Sequence, residues 1–194
     1  AMNACLSGGF TSFAFSSFFI GIIGFSTALV AQYLGAGKHP NCPKVLTQTI
    51  IFSCLSTPII LILIPVGRWV LSTAGLSEGE MAQAQIYLTI LMAGSVLDLF
   101  RQSFNGYFGG LGKTRVVLLS TFAMAIANVC ANYILIFGKL GFPAMGIMGA
   151  GYGTLFAWFV GLVTLCVVYF KQIKFSEYQL LKSFQLDIVI LKKL

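Results

Sequence analysis

Five long apolar stretches, at 7–33, 45–71, 84–110, 115–137 and 147–170, constrain this chain more than any motif in it. A bilayer core about 30 Å thick needs about 20 consecutive apolar residues to cross it as a helix, and each stretch is long enough. Backbone amides in lipid must bond within their own segment or within a closed barrel. These runs are too long and too evenly apolar for barrel strands, which alternate and are short. The chain is 9% charged and 58% hydrophobic, against about 25% charged in a soluble domain. The expected fold class is therefore an all-α integral membrane protein with five transmembrane helices.

The charges give an expected orientation. Lys38 and Lys44 sit in the first gap, Lys113 and Arg115 in the third, and Lys171, Lys174, Lys182, Lys192 and Lys193 in the tail. The second gap holds only Arg68, opposed by Glu78 and Glu80, and the fourth only Lys139. Cytoplasmic loops carry the Lys/Arg excess. The first gap, the third gap and the tail are thus expected on the cytoplasmic side of a cell membrane, with the chain's N-terminus outside. The net charge of +7 gathers at membrane boundaries and forms no nucleic-acid-binding face. It suits a topology signal and attraction to anionic lipid.

An odd number of spans, an opening at Ala1-Met2-Asn3 and a close resembling the approach to another span imply a fragment of a longer protein. The bundle is expected over 1–171. In 172–194, Phe175, Tyr178, Leu181, Phe184, Ile188 and Leu191 recur at helical spacing with Lys and Gln between them, which predicts an amphipathic linker helix on the inner surface. Cys5, Cys42, Cys54, Cys130 and Cys166 form no C-x-x-C pair and read as small apolar packing residues. Gly21 with Gly24, and Gly149 with Gly153, have the spacing that lets helices approach closely. Pro58 and Pro65 lie inside the second span and predict a kink there.

Gly109-Gly110-Leu111-Gly112-Lys113-Thr114 is close to a phosphate-binding loop, but Tyr107 occupies the position of its first glycine and no strand precedes it. A tight turn with a basic anchor explains it better. Gly151-Tyr152-Gly153 lacks the preceding residues and the pore helix of a potassium filter, and reads as a packing face. His39, the lone histidine, is a solvated loop residue. No nucleophile–base pair or metal-ligating cluster emerges, so the chain is not read as an enzyme, and no cofactor or metal is expected.

Polar side chains within the spans are the candidate functional residues. Asp98, Arg101, Gln102 and Asn105 fall within an arc of about 100° on the third span. A charge at that depth costs about 2.5–3.5 kcal/mol on the lenient insertion scale. It therefore faces a bundle interior or wet cavity. Two readings stay open: a functional carboxylate, or a self-neutralising Asp98–Arg101 pair. In the fourth span Thr121, Ala125, Asn128 and Asn132 share a face. Their amides can hold a cation or substrate, or clasp a neighbouring helix.

Several strings carry a family resemblance. Val30-Ala31-Gln32-Tyr33-Leu34-Gly35-Ala36-Gly37-Lys38 ends the first span, and Gly110-Leu111-Gly112-Lys113-Thr114-Arg115 joins the third and fourth. Asn128, Asn132-Tyr133-Ile134-Leu135-Ile136-Phe137-Gly138, Gly146-Ile147-Met148-Gly149-Ala150 and Thr154 follow in order. Together they resemble the amino-terminal half of a multidrug and toxic compound extrusion (MATE) transporter. The resemblance implies twelve spans in two six-helix lobes, of which these five are the second to sixth, and a secondary active antiporter that exports cationic or amphipathic drugs. Sodium ions or protons would couple that export, and the second lobe would be a further partner. It implies an inner-end motif at Gln32, Gly35, Gly37, Gly112 and Lys113, and a cation or substrate site drawing on Asn128, Asn132 and Thr154. Asn132 stands where the family pattern has Asp, so ion coupling is expected elsewhere, in the second lobe or at Asp98. The alternative is a structural or channel-like helix bundle without coupled transport.

Overall fold

The computed structural model describes residues 2–172 and residue 190, and over them the chain is built of helices and short connecting loops, without strands. Seven helices build five candidate membrane spans. The first span is α1 (Met2–Gly24) followed by α2 (Ser26–Gly35), and the second is α3 (Asn41–Ile62) followed by α4 (Ile64–Ser72). The others are single helices, α5 (Glu78–Gly110), α6 (Thr114–Phe137) and α7 (Ile147–Gln172). The first and third spans begin earlier than their apolar runs, because a helix continues past the hydrocarbon edge wherever water can serve its polar side chains. The linker helix expected over 172–194 lies outside the described residues, apart from Gln172 at the end of α7 and Ile190.

The interruption of the second span falls at Leu63, two residues before Pro65. Pro65 has no N–H for the carbonyl one turn back, and its ring crowds that turn. Leu63 N–H is shared between Ile59 O and Ile60 O, both at 3.1 Å, and α4 begins afresh with Pro65 in its first turn. Pro58, by contrast, lies inside an unbroken α3. The first span is interrupted without a proline: Phe25 N–H bifurcates to Gly21 O and Ile22 O.

Two buried clusters define the ends of the bundle. One gathers Leu29 and Val30 of α2, Cys42, Val45 and Leu46 of α3, Tyr107 and Phe108 of α5, Val116 of α6 and Tyr169 of α7. These are C-terminal ends of α2, α5 and α7 and N-terminal ends of α3 and α6, so successive spans run antiparallel. The turns carrying Lys38, Lys113 and Arg115 sit at this end. The other cluster joins Ala4 of α1, Ile60 of α3, Leu71 of α4 and Ala84 and Leu88 of α5. Arg68 and Glu80 lie at that end, but they do not pair. Arg68 Nε donates to Thr89 Oγ1 (3.2 Å), while Glu80 accepts from Ser77 Oγ (3.0 Å) and Asn3 Nδ2 (3.2 Å).

α5 is the central helix, packed against every other element. Lipid is as apolar as a leucine side chain, so close packing and buried polar contacts, rather than burial itself, hold such a bundle together. Gly106 and Gly110 of α5 give that closeness. A Cβ on Gly110 would lie 2.6 Å from Thr27 O and from Val30 Cβ, and one on Gly106 would strike Ser26 Oγ. Ser53 and Ser103 meet hydroxyl to hydroxyl at 3.3 Å between α3 and α5. The Gly149 and Gly153 pair does serve packing: Cβ positions there run into Leu135 backbone and Asn132 Oδ1 of α6. Gly21 and Gly24 do not, for nothing lies within 4 Å of a Cβ at either. Their spacing is right, but their face points out of the bundle. Cys42 is buried, donating to Val30 O at 3.8 Å, whereas Cys54 and Cys130 are exposed and take no part in the core.

Candidate functional site in the membrane interior

The polar face of α5 resolves into local pairs at helical i,i+3 spacing. Arg101 reaches back one turn, placing Nε 2.9 Å and one terminal nitrogen 2.5 Å from Asp98 Oδ1. The two side chains are 13% and 11% exposed for Asp98 and Arg101. Asn105 Nδ2 donates to Gln102 Oε1 at 3.3 Å, and Asn105 Oδ1 is buried without a partner among the described residues. The local pair read from the sequence therefore forms. Arg101 is also held from across the bundle: a Cβ on Gly161 of α7 would be 3.1 Å from Arg101 Cδ. Ser120 Oγ of α6 donates to Gly161 O at 2.9 Å beside it. The small residue on α7 makes room for the guanidinium stem.

Asp98 also lines a cavity of about 80 Å³ between α1, α5 and α7. Its other walls include Ser12, Phe13 and Ser16 of α1, Ser95 of α5 and Trp158 of α7. Arg101 is not among them. Phe13 and Gly9 separate this cavity from a wider, open groove of about 290 Å³ lined by Cys5, Leu6 and Phe10.

The amides of α6 form the second polar region. Asn132 Nδ2 donates to Asn128 Oδ1 at 3.0 Å. Asn132 Oδ1 is buried, has no hydrogen-bond partner among the described residues and points at the notch left by Gly153. Thr154 is not joined to this pair. Its hydroxyl donates to Ala150 O at 2.9 Å, and its side chain meets the Tyr87 phenol of α5. Residues 153 and 154 diverge by about 100° around α7, so Gly153 takes the face against α6 while Thr154 turns toward α5. Asn128, Asn132 and Thr154 thus lie around one junction of three helices, with two of them in direct contact. Thr121, farther along α6, bonds its own helix at Val117 O and is exposed.

The glycine and lysine motif at the span ends forms two equivalent turns. Gly37 and Gly112 both adopt left-handed backbone, with φ of 70° and 72°. After each, a lysine N–H returns to a carbonyl five residues back: Lys38 to Tyr33 O and Lys113 to Phe108 O, both at 2.9 Å. This is the six-to-one bond of a Schellman terminator, and glycine supplies the left-handed residue it requires. Gly35 and Gln32 lie exposed just before the first turn. The string at 109–114 is therefore a helix stop, and 151–153 is continuous helix rather than a filter.

The sequence reading missed Ser12, Ser16, Tyr87 and Trp158. The spacing of Ser12 and Ser16, one turn apart in an apolar run, was the available signal. Among the described residues no His, Cys, Asp and Glu cluster could hold a metal.

Comparison with known proteins places this arrangement. The family model MatE matches residues 4–134. The chain belongs to the MatE family. It is 35% identical over 158 residues to a probable multidrug resistance protein NorM of Halalkalibacterium halodurans, a match covering 81% of this chain and 34% of that protein. A probable multidrug resistance protein NorM of Thermotoga maritima is 30% identical over 159 residues, with the same coverage. The chain spans about a third of the length of these relatives. Its fold matches the inward-facing conformation of a multidrug resistance MATE family transporter of the MOP superfamily, with a TM-score of 0.82 at 24% identity over 97% of this chain and 42% of that one. A MATE crystal structure in the bent conformation gives 0.80 at 23% identity. With five candidate spans and these family relatives, the chain is a multi-pass membrane protein.

Proposed function

We propose that this chain is part of a secondary antiporter that exports cationic or amphipathic drugs or toxic compounds in exchange for sodium ions or protons. Its relatives include probable multidrug resistance proteins, and a fold neighbour is a multidrug resistance MATE family transporter. The observation that carries the reading within this chain is the set of polar groups kept inside the bilayer. Asp98, Arg101, Asn105, Asn128 and Asn132 are costly there unless they face protein, water or ligand. The chain covers only about a third of its relatives, so a second helical bundle is the expected partner. Alternating access needs two bundles moving about a shared site.

The basic turns support an orientation with Lys38, Lys113 and Lys171 in the cytoplasm and Asn3 outside. Asn128, Asn132 and Thr154 are assigned to a cation or substrate site. Asn132 cannot titrate, so coupling is assigned away from it.

The test is reconstitution of the complete gene product containing this chain, with dye export measured against imposed sodium and proton gradients. Gradient-driven export supports the reading; export insensitive to both gradients refutes coupling. The 194 residues taken alone are expected to move no dye.

A further inference from the structure

The cavity beside Asp98 contains more oxygen than the ion pair explains. Both Arg101 bonds fall on Asp98 Oδ1. A guanidinium fork commonly spans both oxygens of a carboxylate; here Oδ2 has no hydrogen-bond partner among the described residues. Arg101 does not line the cavity and Asp98 does, so the carboxylate turns its free edge toward that space. Across from it, on α1, stand Ser12 and Ser16. They are 5% and 8% exposed, and neither hydroxyl has a hydrogen-bond partner among the described residues. Both line the same cavity, one helical turn apart. Serines this deep in a membrane helix ordinarily return their protons to a carbonyl of their own helix, as Thr11 does to Ser7 O at 2.8 Å.

We infer that this cavity is a binding site for a small monovalent cation, sodium or a proton, with Asp98 Oδ2 and the Ser12 and Ser16 hydroxyls as its protein ligands. Hard cations take oxygen ligands. A volume of about 80 Å³ holds such an ion with one or two waters, since a water occupies about 30 Å³ in the liquid. It is too small for a drug-sized molecule. Gly9, Phe13, Ile20, Leu91, Leu99 and Trp158 supply its apolar walls. Arg101 is the charged group set against Asp98, and the α1 and α7 walls bring no titratable side chain. Because Arg101 already balances the carboxylate, the ion is held by the site's free oxygens rather than by net charge. The resulting affinity is weak, which suits an ion that must be released each cycle. The inference deepens the transport reading and rests on it, but binding is measured without transport, so the two can fail separately.

Trp158 lines the cavity, and the chain's other tryptophan, Trp69, is exposed. In a Trp69→Phe background the complete protein in lipid nanodiscs therefore carries a fluorescent reporter at the site, provided any tryptophans contributed by the rest of the protein are also replaced. Sodium chloride is titrated against choline chloride at constant ionic strength, and the titration is repeated across pH. A saturating response to sodium identifies sodium; a response to pH that sodium does not alter identifies a proton taken up at Asp98. Either response must weaken or shift by about tenfold in Ser12→Ala/Ser16→Ala, which leaves the ion pair intact, and vanish in Asp98→Asn. Should Asp98→Asn fail to fold, the serine double variant still decides. Absence of any response in the reporter protein overturns the assignment, and so does a response that the serine variant leaves unchanged.

Discussion

Asp98→Ala leaves Arg101 as an unpaired cation inside the bilayer, and its cost follows from the geometry. Arg101 is 11% exposed and its stem lies over Gly161. The guanidinium therefore cannot reach water without withdrawing from the seam between α5 and α7. Removing one partner of a buried pair costs about 3–5 kcal/mol, most of it the penalty of the stranded charge rather than the lost bond. Replacing both partners by apolar groups is often neutral. Unfolding of the reconstituted protein in mixed micelles of increasing denaturing detergent should therefore show Asp98→Ala destabilised by about 3–5 kcal/mol, with Asp98→Ala/Arg101→Leu recovering most of the loss. Leucine is shorter than arginine, so a small deficit should remain where the stem lay over Gly161. A double variant no more stable than the single would show that the charge is not what the fold must neutralise. The pair would then owe its cost to shape or to the cavity alone.

Three further outcomes are expected. A cysteine at Ser77, in a cysteine-free background, should react with an impermeant thiol reagent from outside the cell, and one at Thr114 only after the cells are opened; reversed labelling would reject the orientation. Gly110→Val should destabilise the bundle by about 1–3 kcal/mol by forcing α5 away from α2, whereas Gly21→Leu, facing open space, should be near neutral in the same detergent titration. In the complete protein, Asn132→Ala should lower export modestly while leaving its ion dependence unchanged, and Asn132→Asp should add a titrating group and shift the pH or sodium profile of export; loss of all ion dependence in Asn132→Ala would place the amide in the coupling site.

The features legible in the sequence are those set by local spacing or by the bilayer. Span number follows from run length, because lipid demands a fixed rise of apolar helix. The helix stops at Gly37 and Gly112 follow from glycine's access to left-handed backbone. The Asp98–Arg101 and Asn128–Asn132 contacts follow from i,i+3 and i,i+4 neighbourhood on one helix. Which face meets which neighbour was not legible. In water, a polar face marks the outside of a helix; in lipid, Phe122 and Ile126 on the outer surface are as apolar as Leu88 and Leu99 in the core, so the pattern has no sidedness. That is why Gly21 and Gly24 looked like Gly149 and Gly153, and why Gly106 and Gly110, which do hold α5 to α2, did not stand out. The turn of Thr154 toward Tyr87, the seat of Arg101 over Gly161, and the cavity that Ser12 and Ser16 share with Asp98 join residues far apart in the chain. Only the packing of the helices decides them, because rotating a membrane helix about its axis changes its partners without changing its hydrophobicity.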